Sequence, residues 1–353
     1  MFAKLSTKYD VNGQMVNTVA STIKIKIPNS FSHILDNLQI QIKPIVERML
    51  KNRQEDSSKY YKGIPSVITK SLIAKYQKNK KCKTVSNLII PICGDKERQI
   101  RFVDVGVRIP ALFGKEILPL ELFRPCSQDD KGRRNISAEF FKRGGEWYGA
   151  FSYKTPAESK VEATGFIGVD RNAVGHVATM SDPQNGKVFH LGFDPSTTKR
   201  NWKGRKAKLQ SKRKNRLLFK LKRKQSRRTK HENHIVSKVI VDYAAKHRRV
   251  IVLEDLSNVR KEGSKIKSYV EKSQWSFFQL EQFIRYKAAL RGVEVVLVQP
   301  AYTSQDCSRC GTRNKPNGKK YICSSCGHEE HRDANAGFNI AYRAVLSESV
   351  NYV

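Results

Sequence analysis

Apolar and polar residues follow two different periods in the first half of the chain. Residues 18–28 alternate between apolar and polar side chains, which predicts a β-strand, whereas Ile, Leu and Val recur at helical spacing over residues 31–50. Helical spacing continues weakly to about Gln77. Residues 85–153 are β-rich and contain a hairpin candidate that turns at the Gly-Gly pair 144–145. We therefore predict a β-barrel interrupted by a helical insertion, with two unrelated small domains as the alternative.

The pattern changes near Lys160 to an alternation of strands and helices. Residues 165–179 predict an apolar strand, a turn with glycines and a second strand. Residues 250–256 begin as a fully apolar run of the kind buried in a mixed or parallel sheet, and residues 293–298 supply another such strand. This half of the chain is therefore predicted to be an α/β domain.

Three acidic residues far apart in sequence each lie at the end of one of these buried elements. Asp170 is carried by the first strand, Glu254 ends the apolar run of the third, and Asp333 opens a helical run. Divalent ions that act on phosphodiesters need such carboxylate oxygens. Singly, each acid has another explanation, because such residues are often solvated or cap a helix, and Asp333 could be an N-cap. We set Asp255 aside, since neighbours on a strand face opposite ways.

A cysteine cluster precedes the third acid. Its spacing is C-x2-C-x12-C-x2-C, and a glycine follows each pair, which permits the tight turn that folds two thiolates onto one ion. The four cysteines are Cys307, Cys310, Cys323 and Cys326. The pattern predicts one structural Zn²⁺ in a zinc ribbon. Free or disulfide-bonded cysteines, or His328 and His331 as substitute ligands, are the disfavoured alternatives.

The charge balance indicates a polyanionic partner. The chain has 67 Lys and Arg against 32 Asp and Glu, a formal net charge of +35 on 353 residues. A membrane surface is the other candidate, but no apolar run is long enough to span a bilayer, so nucleic acid is favoured. Cys82, Cys93 and Cys126 show no pairing pattern, and we expect a reduced, cytoplasmic location.

Much of this charge lies in residues 199–230, which contain Lys and Arg throughout and no acid. We expect the segment to contact nucleic acid rather than to be only a solvated face. The candidate contacts are Lys203, Arg205, Lys206, Lys212, Arg213, Lys214, Arg216, Arg223, Arg227 and Arg228. Trp202 and Phe219 could stack on bases, but aromatic residues near basic runs more often anchor helices. We interpret Trp275, Phe277 and Phe278 mainly as helix core.

Four segments, GVDRNAVGHVAT, IVLEDL, YKAALRGVEVVLVQPAYTSQDCSRCG and YICSSCGHEEHRDANAGFNIA, together resemble a known family. The chain resembles the RuvC-like nuclease domain of transposon-encoded TnpB proteins, which are relatives of the type V CRISPR effectors. The resemblance covers residues 165–344. The N-terminal half matches only in its order of strand, helical insertion and barrel.

The resemblance implies an α/β RNase H-like (RuvC) nuclease domain in which Asp170, Glu254 and Asp333 bind two Mg²⁺ ions as the catalytic triad. It implies a wedge-like β-barrel at residues 1–28 and 81–160 with a helical recognition insertion at 29–80. The nuclease domain would comprise residues 161–302 and 330–353, interrupted by the zinc ribbon at 303–329, which helps to load single-stranded DNA.

The implied partners are a guide RNA from the element's own end and target DNA, unwound to an RNA–DNA heteroduplex next to a short flanking motif. One or two protomers would bind each guide. No membrane partner is expected, and DNA binding would place the cytoplasmic protein at the nucleoid. Cleavage would leave 5′-phosphate and 3′-hydroxyl ends. The alternatives are a nuclease-inactive, guided DNA-binding repressor and a DNA transposase.

Two positions depart from the family pattern. Arg171 and Asn172 follow the first acid where many relatives have an aliphatic residue and a glycine. Alternation along a strand favours an Arg171 side chain that points away from Asp170. Gly337 replaces a common alanine, and the expected effect is only a mildly weaker helix.

Overall fold

The computed structural model describes residues 4–9, 15–56, 60, 63–79, 82, 84–85, 87–94, 99–103, 105–119, 134–256 and 267–350. The chain divides into an N-terminal unit, Met1–Pro156, and a C-terminal unit, Ala157–Val353. Cys126 and the side chain of Trp275 lie outside the described residues. The finer division into four domains stays a prediction.

The N-terminal unit combines strands with three α-helices and a π-helical turn. Its elements are β1 Lys4–Tyr9, β2 Met15–Lys26, α1 Asn29–Lys51, α2 Ser66–Leu72, the π-helical turn Ile73–Gln77, β3 Ile89–Gly94, β4 Arg101–Val103, β5 Gly106–Arg108, α3 Pro110–Phe113, β6 Ile117–Pro119, β7 Arg134–Arg143 and β8 Glu146–Pro156. The predicted first strand and long helix are therefore confirmed as β2 and α1. The hairpin is confirmed as β7–β8, with positive φ angles of 59° at Gly144 and 86° at Gly145.

The strands of this unit form two sheets. One has five antiparallel strands in the order β1-β2-β8-β7-β3, and the other has three in the order β4-β5-β6. The five-stranded order is open, and none of the described strand pairings closes it. No barrel is identified in this part of the chain, although its antiparallel β-structure matches the expectation. Helix α1 covers this sheet with residues spaced by one helical turn, which include Leu35, Leu38 and Ile42.

The C-terminal unit is built around a mixed sheet. Its elements are β9 Gly165–Arg171, β10 Ala178–Asp182, β11 Lys187–Leu191, α4 Pro195–Ser211, α5 Asn215–His247, β12 Arg249–Glu254, α6 Lys267–Ala289, β13 Val295–Val298, β14 Lys320–Ile322, β15 Glu329–His331 and α7 Arg332–Val350. The five main strands have the order β11-β10-β9-β12-β13, in which β9, β12 and β13 are parallel and β10 and β11 antiparallel. The predicted α/β sheet is confirmed.

Helices cover both faces of this sheet. Ile167, Val169, Ile251 and Leu253 belong to one core cluster with residues of α5 and α6. Residues at the alternate positions, such as Val250 and Val252, pack with Ile340 and Ala344 of α7. Because side chains alternate along a strand, each strand contributes to both layers.

Two glycines let α7 approach the sheet closely. A Cβ added to Gly168 would lie 1.9 Å from the carbonyl oxygen of Gly337 and 2.7 Å from the backbone nitrogen of Ala341. A Cβ added to Gly337 would lie 2.4 Å from Ser181 Oγ. The expectation that Gly337 only weakens the helix is therefore wrong, because the missing side chain makes room for β10.

A hairpin turn joins β10 to β11 at the end of the sheet opposite to Arg171. Asp182 is the last residue of β10 and pairs with Lys187, whereas Ala178 at the other end pairs with both Arg171 and Leu191. Gly186 closes the turn with a φ of +66° and has open space around it.

None of the described helices is both long and apolar enough to cross a membrane.

Gly168→Ala should destabilise the C-terminal unit by about 3 kcal/mol or more, because the added methyl group meets backbone atoms that cannot rotate away. The matched control is Gly204→Ala in α4, which meets nothing within 4 Å and should stabilise the protein by up to about 1 kcal/mol. Urea unfolding followed by circular dichroism measures both changes. Equal stabilities of the two variants would contradict the close approach of α7.

Candidate functional site

Two parallel strands bring the first two predicted acids side by side. Val169 of β9 pairs with Leu253 of β12, and Asp170 and Glu254 are the next residues on these strands. The acids therefore lie at one level of the sheet, on strands about 4.8 Å apart. By alternation, both side chains point to the face that α7 covers.

The third acid reaches this face from the first turn of α7. Asp333 is 1% exposed. The turn is fixed to the sheet because the Ser181 hydroxyl of β10 donates a hydrogen bond of 3.0 Å to the carbonyl oxygen of Ala334. The backbone N–H of Asp333 donates to His331 Nδ1 at 3.3 Å. The imidazole thus accepts a hydrogen bond from the helix start, and the alternative in which Asp333 serves as the N-cap is not supported, because Asp333 lies inside α7.

The three carboxyl groups lie near enough to affect one another's charge. Burial, together with the charges of Glu254 and Asp333, raises the pKa of Asp170 to about 8. Burial also raises the pKa of Glu254, although the Thr303 hydroxyl acts in the opposite direction. Buried like charges of this kind are relieved by a hard divalent cation, so the donor set fits Mg²⁺.

Glu254 and Asp333 each have a side-chain partner that the sequence analysis did not predict. The Thr303 hydroxyl donates to Glu254 Oε1 at 2.6 Å. Lys319 Nζ forms an ion pair with Asp333 Oδ2, and Arg332 Nη2 lies 3.5 Å from the other oxygen. A signal for Thr303 and Lys319 existed, since both lie in the segment 303–329 that the family resemblance placed beside the acids.

The acids are less compact than the cysteines. Within the described part of the chain, the four cysteines are the one group of at least three Cys, His, Asp or Glu residues whose ligand atoms all lie within 4.8 Å of one another. Oxygens of all three acids around a single Mg²⁺ would have to lie closer, because Mg–O distances are about 2.1 Å.

The four cysteine sulfurs fit a tetrahedral Zn²⁺ site. Cys307 Sγ lies 3.7 Å from Cys326 Sγ, and Cys310 Sγ lies 3.5 Å from Cys323 Sγ. Zn–S bonds of about 2.3 Å place tetrahedral sulfurs about 3.8 Å apart. Backbone N–H groups of Cys326 and Ser325 lower the pKa of Cys323 to about 6, which favours the thiolate that binds metal.

The glycine after each cysteine pair forms the predicted tight turn, which we call a knuckle. Gly311 and Gly327 have φ angles of 75° and 69°. The N–H of Gly311 donates to the carbonyl oxygen of Cys307 at 2.8 Å, and that of Gly327 to the carbonyl of Cys323 at 3.0 Å. Each turn therefore brings the two thiols of one pair together.

Two asparagines attach this cysteine cluster to the helix that carries Asp333. Asn335 Nδ2 donates to the carbonyl oxygen of Asp306 at 2.8 Å, and its Oδ1 accepts from the N–H of Ser308 at 2.9 Å. Asn339 Nδ2 donates to the carbonyl of Thr303 at 2.8 Å. Both asparagines are buried, so the first knuckle and α7 form one rigid piece.

Three histidines lie beside the row of acids formed by Asp170, Glu254 and Asp333, and the sequence analysis did not predict them. Thr179 of β10 pairs with Asp170 on one side and with His190 of β11 on the other. The His190 ring lies 4.8 Å from that of His176 and 4.7 Å from that of His331, centroid to centroid. The strand register places His190 beside Thr179, whereas His176 and His331 come from segments outside these strands, so this group of histidines is not visible in the local sequence.

The residue after Asp170 points away from the acids, as predicted. Arg171 is buried on the opposite face, where its guanidinium pairs with Glu281 of α6. The N–H of Asp255 continues the sheet by donating to the carbonyl oxygen of Val298 at 2.7 Å.

The basic candidates form a separate group on α4, on α5 and in the turn between these helices. All ten are exposed except Lys206, which is half-exposed. Lys206 aside, none of them forms an ion pair with a described carboxylate. A surface with this much unpaired positive charge is suited to phosphate.

The aromatic residues of these helices differ in burial. Trp202 is 5% exposed and therefore anchors α4, whereas Phe219 is 60% exposed, with the Arg223 guanidinium 5.1 Å from its ring centroid. Phe277 is half-buried and Phe278 is 47% exposed, so the interpretation as helix core is wrong for Phe278.

Known proteins share sequence similarity with parts of this chain. A family model described as "Cas12f1-like, TNB domain" matches residues 277–340. The CRISPR-associated endodeoxyribonuclease Cas12f1 of Sulfoacidibacillus thermotolerans is 40% identical over 125 residues, which are 33% of this chain and 28% of that protein. A TnpB-like protein of Methanocaldococcus jannaschii is 34% identical over 127 residues, which are 35% of this chain and 46% of that protein. Part of the chain is therefore similar to Cas12f and TnpB-like proteins.

One further relative aligns over a longer part of the chain. InsQ of Escherichia coli K12, provisionally named an RNA-guided DNA endonuclease, is 28% identical over 231 residues, which are 58% of this chain and 56% of InsQ. The chain thus spans from about a quarter to just over half of the length of these relatives.

Asp170→Asn should stabilise the metal-free protein near neutral pH. Folding raises the pKa of this carboxyl group from 3.8 to about 8, so the folded state binds its proton more tightly than the unfolded state does. The free energy of unfolding therefore falls as pH rises from about 4 to about 8, because ionised Asp170 destabilises the folded state. We expect the melting temperature of the variant in EDTA to exceed that of the wild type by several degrees at pH near 8 and to converge with it near pH 4, since each kcal/mol shifts Tm by about 2–4 °C. Mg²⁺ should stabilise only the wild type.

The control is Glu162→Gln, which removes an exposed carboxyl group of the same unit. It should leave both Tm and the effect of Mg²⁺ unchanged. An Asp170→Asn protein that melts below the wild type at every pH would contradict the electrostatic account.

Cys323→Ser should weaken zinc binding strongly enough for the metal to be lost during purification with a chelator, because one of the four thiolate ligands is removed. Elemental analysis of the purified protein should give about one zinc per wild-type chain and close to none in the variant. Cys93→Ser, which removes an exposed free thiol of the N-terminal unit, should retain the metal. Equal zinc content in both variants would disprove the assignment.

Proposed function

We propose that this chain is an RNA-guided DNA endonuclease whose RuvC-like centre consists of Asp170, Glu254 and Asp333. The observation that carries this proposal is that three acids from separate elements, half-buried Asp170 and Glu254 and buried Asp333, converge on one face of a mixed sheet, where burial and the charges of the other two acids raise the pKa of Asp170. The mixed strand order and the helices on both faces are what an RNase H-like domain requires. Named nucleases among the relatives support the same reaction class.

The residues have distinct roles in this proposal. Two bound Mg²⁺ ions would supply a hydroxide-like nucleophile and stabilise the leaving 3′ oxygen, which gives 5′-phosphate ends. Asp170, Glu254 and Asp333 would together hold these ions. Glu254 is oriented by the Thr303 hydroxyl, and Asp333 is oriented by α7 and by Lys319, which balances its charge until metal binds.

The target sequence would be recognised by base pairing with a guide RNA rather than by contacts between protein side chains and bases. The basic helices α4 and α5 would hold the backbone of a guide RNA and of its heteroduplex with target DNA, and base pairing would select the sequence. By family analogy, the guide would derive from the end of the chain's own transposon, and a short flanking motif would license unwinding. One or two protomers would act per guide in the cytoplasm, and the Zn²⁺ ribbon would steady the strand that enters.

The decisive experiment is purification from cells that also carry the native flanking DNA, followed by sequencing of the co-purified RNA. We expect one discrete RNA that ends in a variable segment, and Mg²⁺-dependent cleavage of DNA that matches this segment. Ribonuclease treatment should abolish cleavage. Cleavage that survives ribonuclease would instead indicate a transposase.

Asp170→Ala and Glu254→Ala should abolish cleavage and leave binding of RNA and target DNA intact, because neither residue lies among the basic helices. Gel-shift and cleavage assays on the same preparations separate the two effects, with Glu162→Ala as the unaffected control. Guided binding without cleavage by the wild-type protein would indicate a repressor, and a cleaving Asp170→Ala protein would disprove the site.

A further inference from the structure

A buried guanidinium lies directly behind the acid row. Arg171 follows Asp170 on β9 and points to the opposite face of the sheet, where its side chain is only 1% exposed. Its Nη1 donates to Glu281 Oε2 of α6 at 2.8 Å and to the carbonyl oxygen of Phe277 at 3.4 Å. Its Nη2 donates to the carbonyl oxygen of Glu254. One side chain therefore connects the ends of both acid-bearing strands to α6.

The partner of this guanidinium is itself held in place. Glu281 is 14% exposed, and its second oxygen accepts from Arg285 Nε at 3.0 Å. Helix α6 is in turn fixed to α5, since the ring of Phe283 stacks on that of His234 with centroids 3.9 Å apart. The support of Arg171 thus extends to the long helix that also carries the basic surface.

Stability alone does not account for this arrangement. A buried ion pair repays little of the cost of removing two charges from water. Arg171 Nε is also buried without a partner among the described atoms, which adds to that cost. What the pair does supply is geometry, because the bond to the Glu254 carbonyl fixes the peptide from which the Glu254 side chain leaves the strand.

We propose that the Arg171–Glu281 pair positions the metal centre. Arg171 ties the peptide of Glu254 to the strand end that carries Asp170, and Glu281 fixes the guanidinium from α6. The pair acts from the far side of the sheet and touches neither metal nor substrate. This inference rests on the proposed function, in that it takes Asp170 and Glu254 as metal ligands.

The test compares Arg171→Met with Arg285→Met in the full chain loaded with its guide RNA. Both substitutions remove a guanidinium from Glu281, but only Arg171 reaches Glu254. We expect Arg171→Met to weaken Mn²⁺ binding, followed by electron paramagnetic resonance, by about 10–100-fold, the usual effect of losing a group that orients metal ligands. The Mg²⁺ concentration for half-maximal cleavage should rise by the same factor, with most of the rate recovered at saturating Mg²⁺. Arg285→Met should stay within about twofold of the wild type.

Glu281→Gln provides a second variant if Arg171→Met does not fold. It keeps the shape and an acceptor oxygen but removes the charge, and it should shift metal affinity in the same direction by a smaller factor. Metal affinity equal to wild type in a folded Arg171→Met or Glu281→Gln protein, whatever the change in melting temperature or rate, would overturn the proposal.

Asp170→Asn separates this outcome from failure of the proposed function. If Asp170→Asn binds Mn²⁺ as the wild type does, the acids are not the metal site and the proposed function fails. If Asp170→Asn loses Mn²⁺ and Arg171→Met retains it, the site stands and only the positioning role fails.

Discussion

The parallel register between β9 and β12 is the constraint on which the rest of the site depends. Pairing of Val169 with Leu253 aligns the next two residues, and both are acids. Because side chains alternate with a period of two, a slip of one residue would turn Asp170 to the α6 face and bring Arg171 to the α7 face. The slip would also bury the wrong residues on both faces, since β9 and β12 are covered by helices on each side. The hydrophobic cores therefore determine the positions of the catalytic candidates.

Helix α7 adds Asp333 to the two acids that this register aligns. Its approach depends on the glycines at 168 and 337, and its buried asparagines hold the first knuckle of the cysteine cluster. The cluster therefore acts on the acid row through hydrogen bonds rather than through its own ion. The segment 303–329 that contains the cluster also contains Thr303, the partner of Glu254, and Lys319, the partner of Asp333.

Local patterns in the sequence predicted the elements that depend on local physics. Period-two alternation located β2, an apolar run located β9, helical spacing located α1, and the cysteine spacing located the cluster. Sequence patterns did not predict contacts that depend on the pairing of distant strands. The position of His190 relative to Asp170 needs the register of β9, β10 and β11. The open sheet of the N-terminal unit could not be told from a barrel, because alternation does not say which strands are neighbours. Helical spacing was equally silent on whether Phe278 faces the core or solvent.

The β10–β11 turn has a practical consequence for attaching other proteins to this scaffold. It lies at the end of the sheet away from the acids, and the space around Gly186 is open. Exposed turns of this kind tolerate insertions better than buried backbone does. A deaminase or a fluorescent domain inserted between residues 184 and 187 would extend from the end of the C-terminal sheet that lies opposite to Asp170. The same sheet that concentrates the chemistry at one end thus leaves its other end available as an attachment point for cargo.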